Sequence, residues 1–385
     1  MNTISRLLIF IIMIYVCGCG QSPKVNVNRP DELNDNIQTG TLSEAGMDTV
    51  VIKKLVEDIE SGFYPNRHSL LIYKNGKLVL EKYFSGMDEK AWEGSLGTVD
   101  HNVNTLHDLR SITKSVVSAC IGIAIAQGKI KGTSQKIFDF FPEYSAYDTG
   151  LIKELTIEHL LTMSSGLEWN EDVPYNNPDN SEVLMSESDD PIAFILSRKV
   201  VATPGTEWKY NGGTTQMLAE ILKRATGQNA ADYANENIFK KIGIAGYEWM
   251  MFPGTDNPIA ASGLRLRTRD LFKFGMLYQN NGKWQDEQVL PQEWVEQSFS
   301  SKVLREKGRY TRGGYGYQFW IFRDTMQGKA MEWPTAVGNG DQRIFFDRKN
   351  DLMVVMTAGN YNKWDIENNA FAILRKIYES FRVTD

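Results

Sequence analysis

Eleven consecutive residues without a charge, Val116 to Ala126, follow the polar turn Ser111-Ile-Thr-Lys114-Ser115 and stop at Gly128. Such a run reads as a helix, and a helix that is apolar on every side has to be buried. The rest of the chain is therefore arranged around it. At its head Ser111 and Lys114 are three apart, which puts their side chains on one face within reach of each other. A serine hydroxyl is a weak nucleophile without an adjacent base, and a lysine can be that base if its ammonium is made easier to deprotonate. Burial and the positive end of the helix dipole both act in that direction. The alternative is Ser111 as a plain N-cap with Lys114 reaching back to solvent.

The N-terminus has a separate logic. Met1 to Arg6 followed by the apolar stretch Leu7 to Val16 has the order of an export signal and is too short for a permanent membrane span. It ends Val16-Cys17-Gly18-Cys19, which resembles the bacterial lipoprotein signal box. That resemblance implies removal of residues 1–18, acylation of Cys19 and a lipid-anchored protein of the cell envelope, facing the periplasm or the cell surface. Gly20 leaves out the aspartate retention signal of some enteric bacteria, which leans toward the outer membrane. An ordinary cleaved signal is the alternative. Residues 19–43, rich in Asn, Pro and Asp, read as a flexible tether. Cys120 then remains inside the apolar helix as a small buried hydrophobe. A formal net charge of -6 with interspersed signs argues against a nucleic-acid partner.

Along the 385 residues, room for one large two-part domain or two domains, helical spacing of Val50, Ile52, Leu55, Val56 and Ile59 predicts a first helix within 46–61. Ser69 to Phe84, with Asn75-Gly76 between two β-rich runs, predicts a hairpin. From about 104 to 299 the pattern turns to helices and polar loops, including Thr156 to Met163, Thr214 to Ala225 and Asp270 to Asn280. Strand-like runs return at Gly314 to Phe322, Gln342 to Phe346 and Asp351 to Ala358, and an amphipathic helix closes the chain at 368–381. Strands at both ends with helices between imply one sheet split by a helical insertion, an α/β part with an all-α part. The expected division is an α/β sheet subdomain from 44–95 with 300–385, and a mainly helical one at 96–299.

Two further stretches carry chemistry. Pro204-Gly-Thr-Glu-Trp-Lys-Tyr210-Asn211-Gly212 is an aromatic turn ahead of a helix. Its Tyr210 reads either as a phenolate-like base or relay held by a cation such as Lys114, or as a packed aromatic. Thr335-Ala-Val-Gly338-Asn339-Gly-Asp-Gln342 has glycines that let a backbone approach a ligand, or it is a plain Gly-rich turn.

Together Ser111-Ile-Thr-Lys114, Leu160-Leu-Thr-Met-Ser-Ser-Gly-Leu167, Pro204-Gly-Thr-x-Trp-x-Tyr210 and Ala261-Ser-Gly-Leu264 before Thr268-Arg-Asp270 resemble, in order and spacing, the serine β-lactamase-like family. That group includes class C β-lactamases, DD-peptidases (penicillin-binding proteins), esterases and 6-aminohexanoate-dimer hydrolases. The likeness covers about residues 44–380. It implies the β-lactamase/transpeptidase-like fold, an antiparallel sheet flanked by terminal helices with a large helical insertion. It also implies a serine acyl-enzyme with Ser111 as nucleophile, Lys114 as its proton acceptor and Tyr210 as general base or acid. The backbone N–H groups of Ser111 and Asn339 would form the oxyanion hole.

Two departures bear on substrate. The second motif is Tyr210-Asn211-Gly212 rather than Tyr-x-Asn, which displaces the amide by one and makes Asn211 a substrate-contact candidate. The third is Ala336-Val337-Gly338, without the cation that would recognise a carboxylate. Both changes, with the Gly338 to Gln342 spacing, resemble the esterase and 6-aminohexanoate-dimer hydrolase branch. That resemblance makes Gly338 a substrate-contact candidate and Tyr175, in the loop Glu168 to Tyr175, the substrate-facing tyrosine; an aromatic packed on the surface is the other reading. The four histidines His68, His101, His107 and His159 lie in no metal spacing, no Gly-x-Ser-x-Gly elbow occurs and no cofactor motif is present. A Ser-His-Asp triad would need His107 or His159 to reach Ser111. The sequence thus implies a cofactor-free, membrane-anchored serine hydrolase of small esters or amides. A β-lactamase or DD-carboxypeptidase, and a non-catalytic envelope binding or sensor protein, are its alternatives.

Overall fold

The computed structural model describes residues 25–305, 313–326, 328–363, 366 and 368–381. The export signal, Cys19 and the start of the tether lie outside the described residues.

The Asn75-Gly76 dipeptide turns the chain with φ of 51° and 82°, the positive pair that a two-residue hairpin requires. It joins strands Arg67–Lys74 and Lys77–Tyr83. The first of these pairs antiparallel with Leu352–Ala358, so that Leu70 faces Met356 and Ile72 faces Val354. Six strands from the C-terminal part and these two make one antiparallel sheet of eight.

Period-two alternation sends neighbouring residues to opposite sides. Leu70, Ile72, Phe345, Val354 and Met356 pack with the helices Thr49–Glu60 and Asn368–Glu379. Leu71, Tyr73, Ile344, Met353 and Val355 face the helix Thr268–Gln279 and, beyond it, the central helix Ile112–Ala126. Thirteen of the fifteen residues of that central helix are buried. Each of its larger aliphatic side chains contributes on the order of 2 kcal/mol, which offsets the cost of carrying an ammonium into the interior at Lys114. Cys120 is a free, buried thiol there, and burial raises its pKa.

Several expectations need correction. The described part of the expected tether, 25–43, is packed on the domain. Ile37, Thr39 and Leu42 are buried, Thr39 bridges to Leu78, and Asp35 pairs with Arg269 at 2.7 Å. The 95/96 boundary falls inside the strand Gly94–Asp100, which forms a ribbon with Ser85–Lys90. Gly314 to Phe322 is two strands, Gly313–Tyr315 and Trp320–Met326, interrupted by a bend. Thr335 to Gly338 is the end of a long strand, Lys329–Gly338. Its Pro334 is opposed by Ile321 on one side only, since pairing on the other begins at Thr335. An unpaired edge is where a strand tolerates proline.

Candidate active site

The strand Leu106–Asp108 ends two residues before Arg110, whose φ of 50° turns the chain into the central helix. Ser111 takes the N-cap position, yet its side chain caps nothing. Its hydroxyl is left to the groups around it. Lys114 Nζ donates to Ser111 Oγ at 3.1 Å and to the Ala261 carbonyl at 2.8 Å. It also lies 3.6 Å from Glu182 Oε2 and 5.1 Å from the centre of the Tyr210 ring. Lys114 is 1 % exposed, so the alternative of a lysine reaching into solvent is gone.

Ser111 is close enough to Tyr210 to act on its hydroxyl, lowering the Tyr210 pKa. Trp208 and Trp320 back the Tyr210 ring, at 6.2 and 5.4 Å between centres. The electrostatics correct the phenolate reading. Burial drives the Tyr210 pKa well above its ordinary value, the carboxylates of Glu171 and Glu182 drive it the same way, and only the neighbouring Ser111 opposes them. The resting state is a neutral phenol that can pass a proton on.

Those two carboxylates are the residues that sequence reasoning missed. Glu171 accepts from Trp169 Nε1 and the Gly212 N–H through one oxygen and from the Tyr175 hydroxyl, at 2.8 Å, through the other. Burial, reinforced by Glu182, pushes its carboxyl up to about 7, with Lys114 pulling the other way. Glu182 takes the Ser262 hydroxyl at 2.8 Å on one oxygen and turns the other toward Lys114. For Glu171 the sequence signal was the acidic and aromatic composition of 168–175, from which Tyr175 alone was taken.

The residues expected to bind substrate, Tyr175, Asn211 and Gly338, and the expected oxyanion-hole residue Asn339 divide. Tyr175 and Asn339 do line a cavity of about 400 Å³ together with Ser111 and Glu182. Asn362, also in the lining, ties the two sides together. It accepts from the Asn339 side chain at 3.0 Å and the Tyr175 N–H at 3.3 Å, and its own N–H donates to Asn339 Oδ1 at 2.9 Å. Asn211 is a correction: it is fully buried and caps the helix Gly212–Thr226, its Oδ1 accepting from the Thr214 N–H at 3.2 Å. Gly338 is another. A Cβ there would collide with the Leu109 carbonyl, so this glycine lets the strand abut the segment that carries Ser111 rather than touching a ligand.

Three of the four histidines, scattered in sequence, come together beside the buried Asp88. His68 and His101 stack at 3.9 Å with 19° between planes. Together with Asp88 they bring one nitrogen or oxygen each to within 4.8 Å of one another. Both nitrogens of His107 are taken, by His68 at 2.9 Å and the Asp108 carbonyl at 2.9 Å. His159 Nδ1 accepts the Thr156 N–H at the start of the helix Ile157–Leu161. A Ser-His-Asp triad is thereby set aside: among the described residues the side chain hydrogen-bonded to Ser111 is Lys114.

The Beta-lactamase family model matches residues 68–375. The chain belongs to the β-lactamase family. It is 21% identical to a β-lactamase of Escherichia coli strain K12 over 254 residues, 62% of each chain. It spans less than two thirds of the length of the curated relatives it matches, 62% and 39% for two others. Among solved structures, one from Bacillus anthracis, named provisionally as a 6-aminohexanoate-dimer hydrolase, superposes with a TM-score of 0.64 at 23% identity, covering 85% of this chain and 82% of that one. A family VIII carboxylesterase gives 0.63 at 15% identity, covering 87% and 99%. Identities this low speak for the fold, which is the β-lactamase-like one expected from the motifs.

Proposed function

We propose that the protein is a serine hydrolase that forms an acyl-enzyme on Ser111 with small esters or amides. The observation that carries this is the buried Lys114 Nζ 3.1 Å from Ser111 Oγ, with the Tyr210 ring centre 5.1 Å from the same nitrogen. Ser111 Oγ attacks the substrate carbonyl and gives its proton to Lys114 acting in its neutral amine form, from which the proton returns through Tyr210 to the leaving group. The N–H groups of Ser111 and Asn339 receive the oxyanion. Tyr210, neutral at rest, hands a proton to the leaving group, and water then releases the acyl group.

The missing cation at Ala336-Val337-Gly338 favours esters and amides over β-lactams or peptides that present a carboxylate. The cations in the cavity wall are already paired, Arg110 with Glu89 at 2.9 Å and Lys90 with Glu93 at 2.8 Å. An N-terminal lipid on Cys19 would place this activity at the cell envelope. Intact-mass labelling with a fluorophosphonate tests the reading. Wild type should take one label, Ser111→Ala none, and Lys114→Ala should react at least tenfold more slowly. Absence of labelling in wild type would favour a binding or sensor protein, and brisk hydrolysis of a chromogenic cephalosporin would favour a β-lactamase.

A further inference from the structure

One side chain at the cavity mouth serves neither the fold nor the chemistry above. The ribbon of Ser85–Lys90 and Gly94–Asp100 turns through Ala91, Trp92 and Glu93. This turn is firmly pinned. The Ala91 N–H donates to Asp108 Oδ2 at 2.7 Å, and Lys90 Nζ reaches Glu93 at 2.8 Å and Glu248 at 3.2 Å. Trp92, at its centre, has a φ of 66°. Glycine or asparagine takes that conformation readily, whereas a bulky side chain there is an outlier that points to function.

The indole is only half covered by the fold. Trp92 is 49% exposed, and what it faces is the cavity that holds Ser111. Stability alone would have placed a small polar residue at such a turn. Among the described cavity-lining residues the aromatic rings are Trp92 and Tyr175, and the hydroxyl of Tyr175 is held by Glu171. Around Trp92 the wall is made of mutually paired charges, which offer a ligand little.

We propose that Trp92 is a specificity-determining residue, an open indole platform that takes an aromatic group on the acyl or leaving side of an uncharged ester or amide. A flat ring is the best partner for an indole face, and about 400 Å³ accommodates a ring with its ester or amide link. This deepens the serine-hydrolase reading and rests on it for the reaction, though not for the binding.

The test uses Trp92→Gly, because glycine suits the positive φ and should leave the melting temperature equal to wild type or higher. Titrimetric assays compare kcat/KM for ethyl acetate, benzyl acetate and ethyl phenylacetate. The preference for an aromatic ester over ethyl acetate should fall at least tenfold in Trp92→Gly and be largely kept in Trp92→Phe. An unchanged preference in Trp92→Gly overturns the proposal. A second arm needs no turnover: saturation-transfer NMR of N-benzylacetamide on Ser111→Ala and on Ser111→Ala/Trp92→Gly. Signal in the first and its loss in the second support the platform even if wild type proves inert to fluorophosphonate, which would sink the hydrolase reading alone. Equal signal in both, or none in either, overturns it.

Discussion

Glu171 and Glu182 bring their carboxyl groups together at Gly212, where an added Cβ would collide with Glu182 and lie 3.0 Å from Glu171 Oε1. One glycine thus makes room for two buried acids beside Lys114. Gly212→Ala should push Glu182 away from Lys114, lower the melting temperature by several degrees and slow fluorophosphonate labelling. Unchanged labelling would show that this packing does not set the reactivity of Ser111.

Glu182→Gln tests the pair more directly. The amide can keep the bond to Ser262 but leaves the Lys114 ammonium without its buried counter-charge. Breaking a buried pair costs about 3 kcal/mol. Denaturant melts should register a loss of that size. A stability loss below about 0.5 kcal/mol would mean that the pair behaves like a surface one.

Glu171 governs the pH dependence. With its carboxyl pushed up to about 7, it becomes an anion as pH rises past neutrality, and that charge works against ionisation of Tyr210. Glu171→Gln removes the opposing charge. The alkaline-going rise in the rate of Ser111 labelling should then move to lower pH by about one unit. A profile identical to wild type would exclude Glu171 from the proton path.

The histidine cluster sets acid stability, and here the signs oppose. Burial, with the neighbouring imidazoles, lowers His68 to about 2, and burial lowers His107 to about 3. Each therefore binds a proton on unfolding between its folded value and about 6.5, and over that interval each removes up to about 1.4 kcal/mol per pH unit as pH falls. Glu171, raised above the ordinary carboxylate range, works the other way. Its stabilising contribution is complete below about 4.5 and is lost as pH rises through 7. Two imidazoles outweigh one carboxyl, so the melting temperature should fall between pH 6.5 and pH 5. His107→Gln should make that decline shallower, and a flat wild-type profile over the same interval would contradict the cluster's neutrality.

What was legible in the chain followed from locality or from motif order. Ser111 and Lys114 could be picked out because helical spacing places them whatever the distant packing does, and Tyr210 because the order of the motifs resembles the family's. The hairpin at Asn75-Gly76 and the helices at both ends were legible for the first of these reasons. Glu182 and Asn362 were not, because only tertiary folding brings one to Lys114 and the other between Tyr175 and Asn339. Asn211 was misread although its signal was present: an asparagine immediately before a helical run is a cap. Ser85 to Lys90 escaped because a strand of Ser, Gly, Met, Asp, Glu and Lys shows no apolar alternation. Pro334 hid a strand, since proline argues against one unless an edge is known.

The seam between Arg67–Lys74 and Leu352–Ala358 also dictates an order of assembly. Ser69 meets Thr357 across 288 residues of chain, and the strand that delivers Asn339 belongs to the same sheet, whereas Ser111 lies in the insertion between the sheet's two parts. Contacts so remote in sequence form late, because the entropy of closing the loop has to be met before they return anything. Ser111 and Lys114 are thus synthesised long before the wall opposite them can exist. A nascent chain carries its serine without an oxyanion pocket, and the site comes into being only when the chain's two ends have found each other.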